Sequence, residues 1–321
     1  MANEKQEEIL KKEKIQDFEQ DIRTMTKAEL IKHFSFKGKK SVNTTLLIKN
    51  LIWQGYTWIK NGKMEPIEGN IRSFWYMNVK PILSRLGFNT TGRKFAEKLY
   101  DVLVEMIVDY RLFRYMDMGF LDERQYQRSI GKANGNLILF VEKDGLFGLA
   151  KQMALQNDTT AIATGGFPSY LTLEYLLSDM ARAGLLYEPV HVFSVVDYDP
   201  SGYWIEQKFL EQLRQYDMEI ASQHSLITPD LMPASLLDIA KYRLDKSSKT
   251  KNWLKLTNGL NGEPYGLESD AVGGKKIREA FDKAILPYLA PKQPGSGKAA
   301  LDKSRASHIA FLSSPPAYLQ R

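Results

Sequence analysis

Val190-His-Val-Phe-Ser-Val-Val-Asp-Tyr-Asp-Pro-Ser-Gly202 is the stretch that decides how this chain of 321 residues folds. An apolar run, Val190 to Val196, ends on Asp197, and a helical pattern follows from about Gly202 to Gln215. Two earlier stretches repeat the arrangement. Leu137 to Val141 ends on Glu142 and leads into a helical stretch, Leu146 to Leu155, while Thr160 to Ala163 ends at Thr164-Gly-Gly-Phe-Pro168 and leads into a helix from Tyr170 to Ala183. Apolar runs this short, separated by helices of this length, predict an α/β domain with a parallel sheet covered on both faces. Ligands bind such sheets beyond the carboxyl ends of the strands, which is where Glu142, Asp197 and Asp199 fall.

Working outward, the sheet domain extends over residues 131–290, with a further short strand at Ser225 to Thr228 and helices near Leu236–Leu244 and Lys275–Leu289. Residues 291–321, rich in Pro, Gly, Ser, Ala and Lys, read as a flexible tail. Within it Pro294-Gly-Ser-Gly-Lys298 is no phosphate loop, since the first glycine of that motif is missing and Ala299 stands where Ser or Thr is required. Upstream, residues 3–32 predict one helix, an arm (1–33) suited to packing on a partner chain, with Ile15, Phe18, Ile22 and Met25 at helical intervals. Residues 34–130 hold short helical patterns and a long amphipathic helix from Arg93 to about Tyr110. The segment Leu112 to Phe120 then supplies a strand or wing, so this region is expected to be a winged-helix DNA-binding domain.

Charge agrees with that division of labour. Residues 34–130 carry 16 basic and 9 acidic side chains, whereas residues 131–321 carry 21 of each. A basic block beside a neutral one suits contact with a polyanion. The chain has no cysteine, which excludes disulfides, thiolate ligands and cysteine nucleophiles. No apolar run approaches the ~20 residues of a membrane span and the N-terminus lacks a signal-peptide pattern, so a cytoplasmic, nucleoid-associated protein is expected. His33, His191, His224 and His308 are scattered and make no ligand pattern.

Asp197 and Asp199 stand two apart, which in an extended chain puts both carboxylates on one side. Two carboxylates that close repel unless a cation lies between them. With Glu142 added, the three acids suit Mg2+, which prefers oxygen ligands and keeps waters that phosphate oxygens can replace.

Phe140-Val-Glu-Lys-Asp-Gly145, Thr164-Gly-Gly-Phe-Pro168 and Val195-Val-Asp-Tyr-Asp-Pro-Ser-Gly202 together resemble the Toprim core of the topoisomerase VI A-subunit family, which includes the transesterase of meiotic double-strand breaks. The resemblance implies Glu142 as the Toprim glutamate and Asp197 and Asp199 as its metal-binding pair. It also implies a tyrosine nucleophile upstream, within a string matched by Arg72-Ser-Phe-Trp-Tyr76, although Ser73 replaces the usual acid and Trp75 a Tyr or Phe. Tyr76, assisted by Arg72, Glu142 and Mg2+, is then expected to cleave duplex DNA and form a phosphotyrosine ester. A homodimer is implied, in which the tyrosine of one protomer meets the metal site of the other. The family's ATPase is a separate B-type subunit, and the size here is similar to that of stand-alone Mini-A-like proteins. Glu268, in Gly266-Leu-Glu-Ser-Asp-Ala271, either approaches the metal site or starts a surface helix. Two rivals stay open: a Toprim nuclease in which water replaces the tyrosine, and a non-catalytic DNA-binding module.

Overall fold

The computed structural model describes residues 2–36, 41–289 and 303–320. They fall into two compact units, residues 1–123 with 315–321, and residues 124–314.

The first unit is helical, built from α1 (Ala2–Glu13), α2 (Lys27–Phe34), α3 (Thr44–Lys60), α4 (Ile71–Phe74), α5 (Lys80–Arg85) and α6 (Lys94–Val104). One π turn, Trp75–Val79, joins α4 to α5, and another, Glu105–Asp109, extends α6. At the centre lies α3, whose Leu47, Ile48, Leu51, Ile52 and Ile59 are buried at helical spacing. Each such side chain contributes roughly 1.5–3 kcal/mol when removed from water.

The single helix expected over 3–32 is broken, and α3 is the reason. Its buried Asn50 accepts from Gln16 N–H and donates to Lys14 O, and its buried Gln54 accepts from Ile22 N–H and donates to Phe18 O and Gln20 O. Those bonds take the backbone groups that a continuous helix needs for itself. Lys14, at φ 56°, turns the chain there. The arm therefore packs on its own unit, and Lys49 completes the junction by donating to Glu13 and Glu105 at 2.7 Å each.

The wing expected from Leu112 to Phe120 is also corrected. This segment rolls into a 3-10 turn, Tyr115–Met118, because buried Arg114 and Asp117 pair at 2.8 Å across three residues. Gly119 closes it at φ +77°, where a Cβ would lie 2.5 Å from Pro66 Cβ. The described residues of this unit contain isolated bridges, Ser35 to Val42 and Gly69 to Phe120, but no strand.

The second unit is mixed α/β. Strands β1 (Arg128–Ser129), β2 (Asn134–Val141), β3 (Thr159–Ala163), β4 (Val190–Val195) and β5 (Ile220–Ser225) form one sheet in the order β1-β3-β2-β4-β5. All neighbours are parallel except β1, which runs antiparallel to β3 and brings residues upstream of 131 into this unit. Helices α7 (Phe147–Asn157), α8 (Tyr170–Arg182) and α9 (Pro200–Gln215) connect the strands. Beyond β5 come α10 (Ala234–Ala240), β6 (Lys241–Arg243), α11 (Ser248–Thr257), β7 (Tyr265–Leu267), α12 (Ser269–Val272), α13 (Gly274–Ile285) and α14 (Lys303–Ser313), with β6 and β7 paired antiparallel as a separate ribbon.

The expected flexible tail is partly structured. Ile309 and Leu312 of α14 are buried, Ser178 on α8 donates to Leu312 O at 2.7 Å, and residues 315–321 join the first unit through Arg114 to Pro315 O and Ala317 N–H to Asp117. Composition concealed this, because the burial rests on only a few apolar residues of α14, chiefly Ile309 and Leu312. The Pro294–Lys298 string lies outside the described residues.

Sheet order positions the site. The chain leaves β2 for β3 on one side and returns to β4 on the other, so β2 and β4 flank the point where the winding reverses, the usual crevice of an open α/β sheet. Register brings the strand ends level: Val141 stands opposite both Ala163 and Val195. The next residues out are Glu142 and, after Val196, Asp197.

Candidate active site

Two constellations emerge, one in each unit. In the second, Glu142 Oε2 accepts from Asp197 N–H at 3.2 Å, which ties the end of β2 to the end of β4. Asp197 is 9% exposed, and its Oδ1 accepts from both the backbone N–H and the hydroxyl of Ser269, at 2.8 and 2.7 Å. Asp199 caps α9 by accepting from Gly202 N–H at 2.7 Å, and its other oxygen accepts from the Tyr242 hydroxyl at 2.7 Å. Gly202 is required here, since a Cβ would lie 2.1 Å from Asp197 O.

The chain is not simply extended through the two aspartates. Asp199 N–H donates to Asp197 O at 2.9 Å, so the backbone tightens around Tyr198. The cause is the β6–β7 ribbon, because Tyr198 exchanges both backbone hydrogen bonds with Leu267, at 2.9 and 3.1 Å. That pairing delivers Glu268, Ser269 and Asp270 to the crevice, while β6 delivers Tyr242.

Lys143 completes the arrangement. Its Nζ lies 2.5 Å from Glu268 Oε2, 3.0 Å from Asp197 Oδ1 and 3.0 Å from Asp270 Oδ2. Partial burial opposes its charge, but the three carboxylates outweigh that and hold the ammonium above the usual lysine range. Burial, followed by the charges of Asp197 and Asp199, pushes the Glu142 carboxyl up, against the Asp197 N–H that pulls it down. Desolvation and the bond to Asp199 push the Tyr242 phenol up as well, so it stays a donor. The oxygen donor set of Glu142, Asp197 and Asp199 fits a hard divalent cation. Among the described residues no three acids are gathered as a chelating group, and the ammonium of Lys143 stands against Asp197.

In the first unit, Phe74 and Trp75 are buried, at 1% and 4% exposure, while Tyr76 is 47% exposed. The π turn achieves this split, a distortion often found at functional sites. Arg72 and Lys80 stand one turn to either side, with the guanidinium 5.7 Å and the ammonium 4.8 Å from the ring centroid of Tyr76. The hydrogen bond from Arg72, then its charge, and to a lesser degree Lys80, lower the pKa of the Tyr76 phenol. Elsewhere burial moves phenols the other way: Tyr56 is pushed up to about 12, and Tyr100, Tyr110, Tyr198, Tyr242 and Tyr318 also rise.

Four of the five expected site residues have an expected neighbour within their own unit, Arg72 with Tyr76 and Glu142 with Asp197, whereas the Asp199 carboxylate is held by Gly202 N–H and Tyr242. The sequence reading assigned no role to Lys143, Ser269, Asp270, Tyr242 or Lys80. Lys80 had a legible signal, its helical spacing from Tyr76, whereas Tyr242 had none. The chain matches no model of a known protein family and no curated protein sequence. Among the described residues, no helix is long and apolar enough to cross a membrane.

Proposed function

We propose that this protein cleaves duplex DNA by Mg2+-dependent tyrosine transesterification, as a Toprim protein similar to topoisomerase VI A subunits that works as a homodimer. The observation that carries the reading is Tyr76: exposed, flanked by Arg72 and Lys80, and with a phenol pKa moved down where those of Tyr56, Tyr100, Tyr110, Tyr198, Tyr242 and Tyr318 move up. A phenol, ordinarily at about 10, is a poor nucleophile until its proton leaves or its anion is stabilised, and the two cations favour the anion.

In the reaction, the Tyr76 oxygen gives up its proton to solvent and attacks phosphorus. The bond from phosphorus to the 3′ oxygen of the adjoining nucleotide breaks, that oxygen takes a proton, and Tyr76 is left esterified to a 5′ phosphate. No water is consumed, so the reverse attack reseals the strand. Mg2+, when bound, supplies charge for the phosphate oxygens in the transition state. Glu142, Asp197 and Asp199 are the residues that would hold it, with Ser269 and Tyr242 orienting the two aspartates.

The test is direct. Incubated with supercoiled plasmid and Mg2+ and then denatured with detergent, the protein is expected to remain covalently on 5′ DNA ends. Cut DNA with free ends would instead establish hydrolysis by water at the same acids.

Lys143 yields a second expected result. Its ammonium and a divalent cation compete for Asp197, so Lys143→Met tightens binding of Mn2+, measured by calorimetry, about fivefold, the ~1 kcal/mol of a partly exposed charge pair. Weaker binding by the variant would show that Lys143 assists the metal.

A further inference from the structure

Residues 131–321 balance in charge, but the balance is uneven. Residues 241–257 carry six basic side chains and one acid, Asp245, while the rest of that segment carries 15 basic and 20 acidic. Four of the six, Lys246, Lys249, Lys251 and Lys255, lie on α11 or at its start, all are exposed, and none has an acidic partner among the described residues. Lys143, Lys208, Lys241 and Lys276 of the same unit each meet a carboxylate, whereas Lys132, Lys151, Lys275 and Lys283 are, like the four at α11, without one among the described residues, but are not gathered in one run. On α11, Lys251 and Lys255 are one turn apart on the outer face, opposite buried Thr250 and Trp253.

That inner edge fixes where the lysines stand. Trp253 packs edge-on against Tyr198, the residue between the two aspartates, with centroids 5.3 Å apart. The Tyr198 hydroxyl then donates to Gly259 O at 2.9 Å, just beyond the end of α11. A lysine-bearing helix is thus clamped to the segment that carries Asp197 and Asp199. Unpaired ammonium groups along one short helix repel one another and gain free energy from a polyanion whose charges are regularly spaced.

We infer that the outer face of α11 is a second DNA contact, gripping the duplex backbone beside the acidic crevice of the same unit. The inference rests on the proposed DNA-cleaving function and adds the surface that seats the phosphates. Lysines of this kind contact phosphate, so they set affinity and salt dependence without reading sequence.

The test compares full-length protein with Lys249→Glu/Lys251→Glu/Lys255→Glu and with the milder Lys249→Gln/Lys251→Gln/Lys255→Gln, using a short fluorescent duplex at several salt concentrations without metal. The charge reversal is expected to weaken binding at least about tenfold, and both variants to lower the slope of log affinity against log salt by about 2–3. Mn2+ binding and the melting temperature of the glutamine variant stay at wild-type values, which separates the effect from damage to the crevice or the fold. A wild-type protein that binds duplex while both variants match it in affinity and slope would overturn the inference and leave the proposed function standing. Wild-type protein that binds no duplex would overturn both.

Discussion

Tyr76→Phe is expected to abolish the proposed covalent DNA adduct and to lower cleavage at least about a thousandfold, since the attacking oxygen is gone and no other group of the turn replaces it. The variant keeps its fold, because Phe74 and Trp75 carry the packing and the Tyr76 ring is half in solvent. Mn2+ and duplex binding stay at wild-type levels. Arg72→Ala provides the pH signature. In the proposed reaction the phenolate is the reactive form, and Arg72 lowers the phenol pKa, so adduct formation in the wild type is expected to rise with pH below tyrosine's ordinary value of about 10. Without the guanidinium that rise moves to higher pH. Cleavage at wild-type rate by Tyr76→Phe, with free DNA ends, would end the transesterase reading and leave a hydrolytic nuclease.

Asp197→Asn and Asp199→Asn are each expected to weaken Mn2+ binding at least about a hundredfold and to abolish Mg2+-dependent cleavage, because each removes one anionic oxygen ligand where few are available. The amides are better tests than alanine. Asp199 caps α9 and holds the Tyr242 hydroxyl, so Asp199→Ala also costs the helix about 1 kcal/mol, whereas Asn retains the cap. Asp197 accepts two bonds from Ser269, and its loss leaves a buried hydroxyl and N–H without their acceptor. Calorimetry for the metal and a plasmid assay for cleavage check both, and undiminished cleavage by the double amide variant would remove the metal centre from the mechanism.

The two constellations were legible in the sequence to different depths. Glu142 and Asp197 each end an apolar run, with Asp199 two residues beyond, and in a parallel sheet the end of a run is a place in space. Tyr76 rested on a partial motif whose Ser73 and Trp75 depart from the pattern. The structure accounts for both departures, since Ser73 donates to Asn70 at the start of α4 and Trp75 fills the core. The misread regions share one cause. Residues 14–22 have helical spacing, yet Asn50 and Gln54, more than thirty residues away, claim their backbone groups. Residues 112–120 have the apolar content of a strand, yet the buried pair of Arg114 and Asp117 curls them into a turn.

By itself the sequence determined the α/β character, the helices between strands and the placing of three acids at strand ends, because these follow from hydrophobic periodicity over neighbouring residues. Only the tertiary structure decided what surrounds those acids. Lys143 meets Glu268 and Asp270 across 125 and 127 residues, and Tyr242 meets Asp199 across 43, through a β6–β7 ribbon whose pairing no local pattern announces. The basic run 241–257 is local in the sequence, but only the packing of Trp253 on Tyr198 shows that it stands beside the segment carrying the two aspartates. Periodicity is a property of adjacent residues, whereas a site's electrostatics depend on which distant segments the packing of the core leaves side by side.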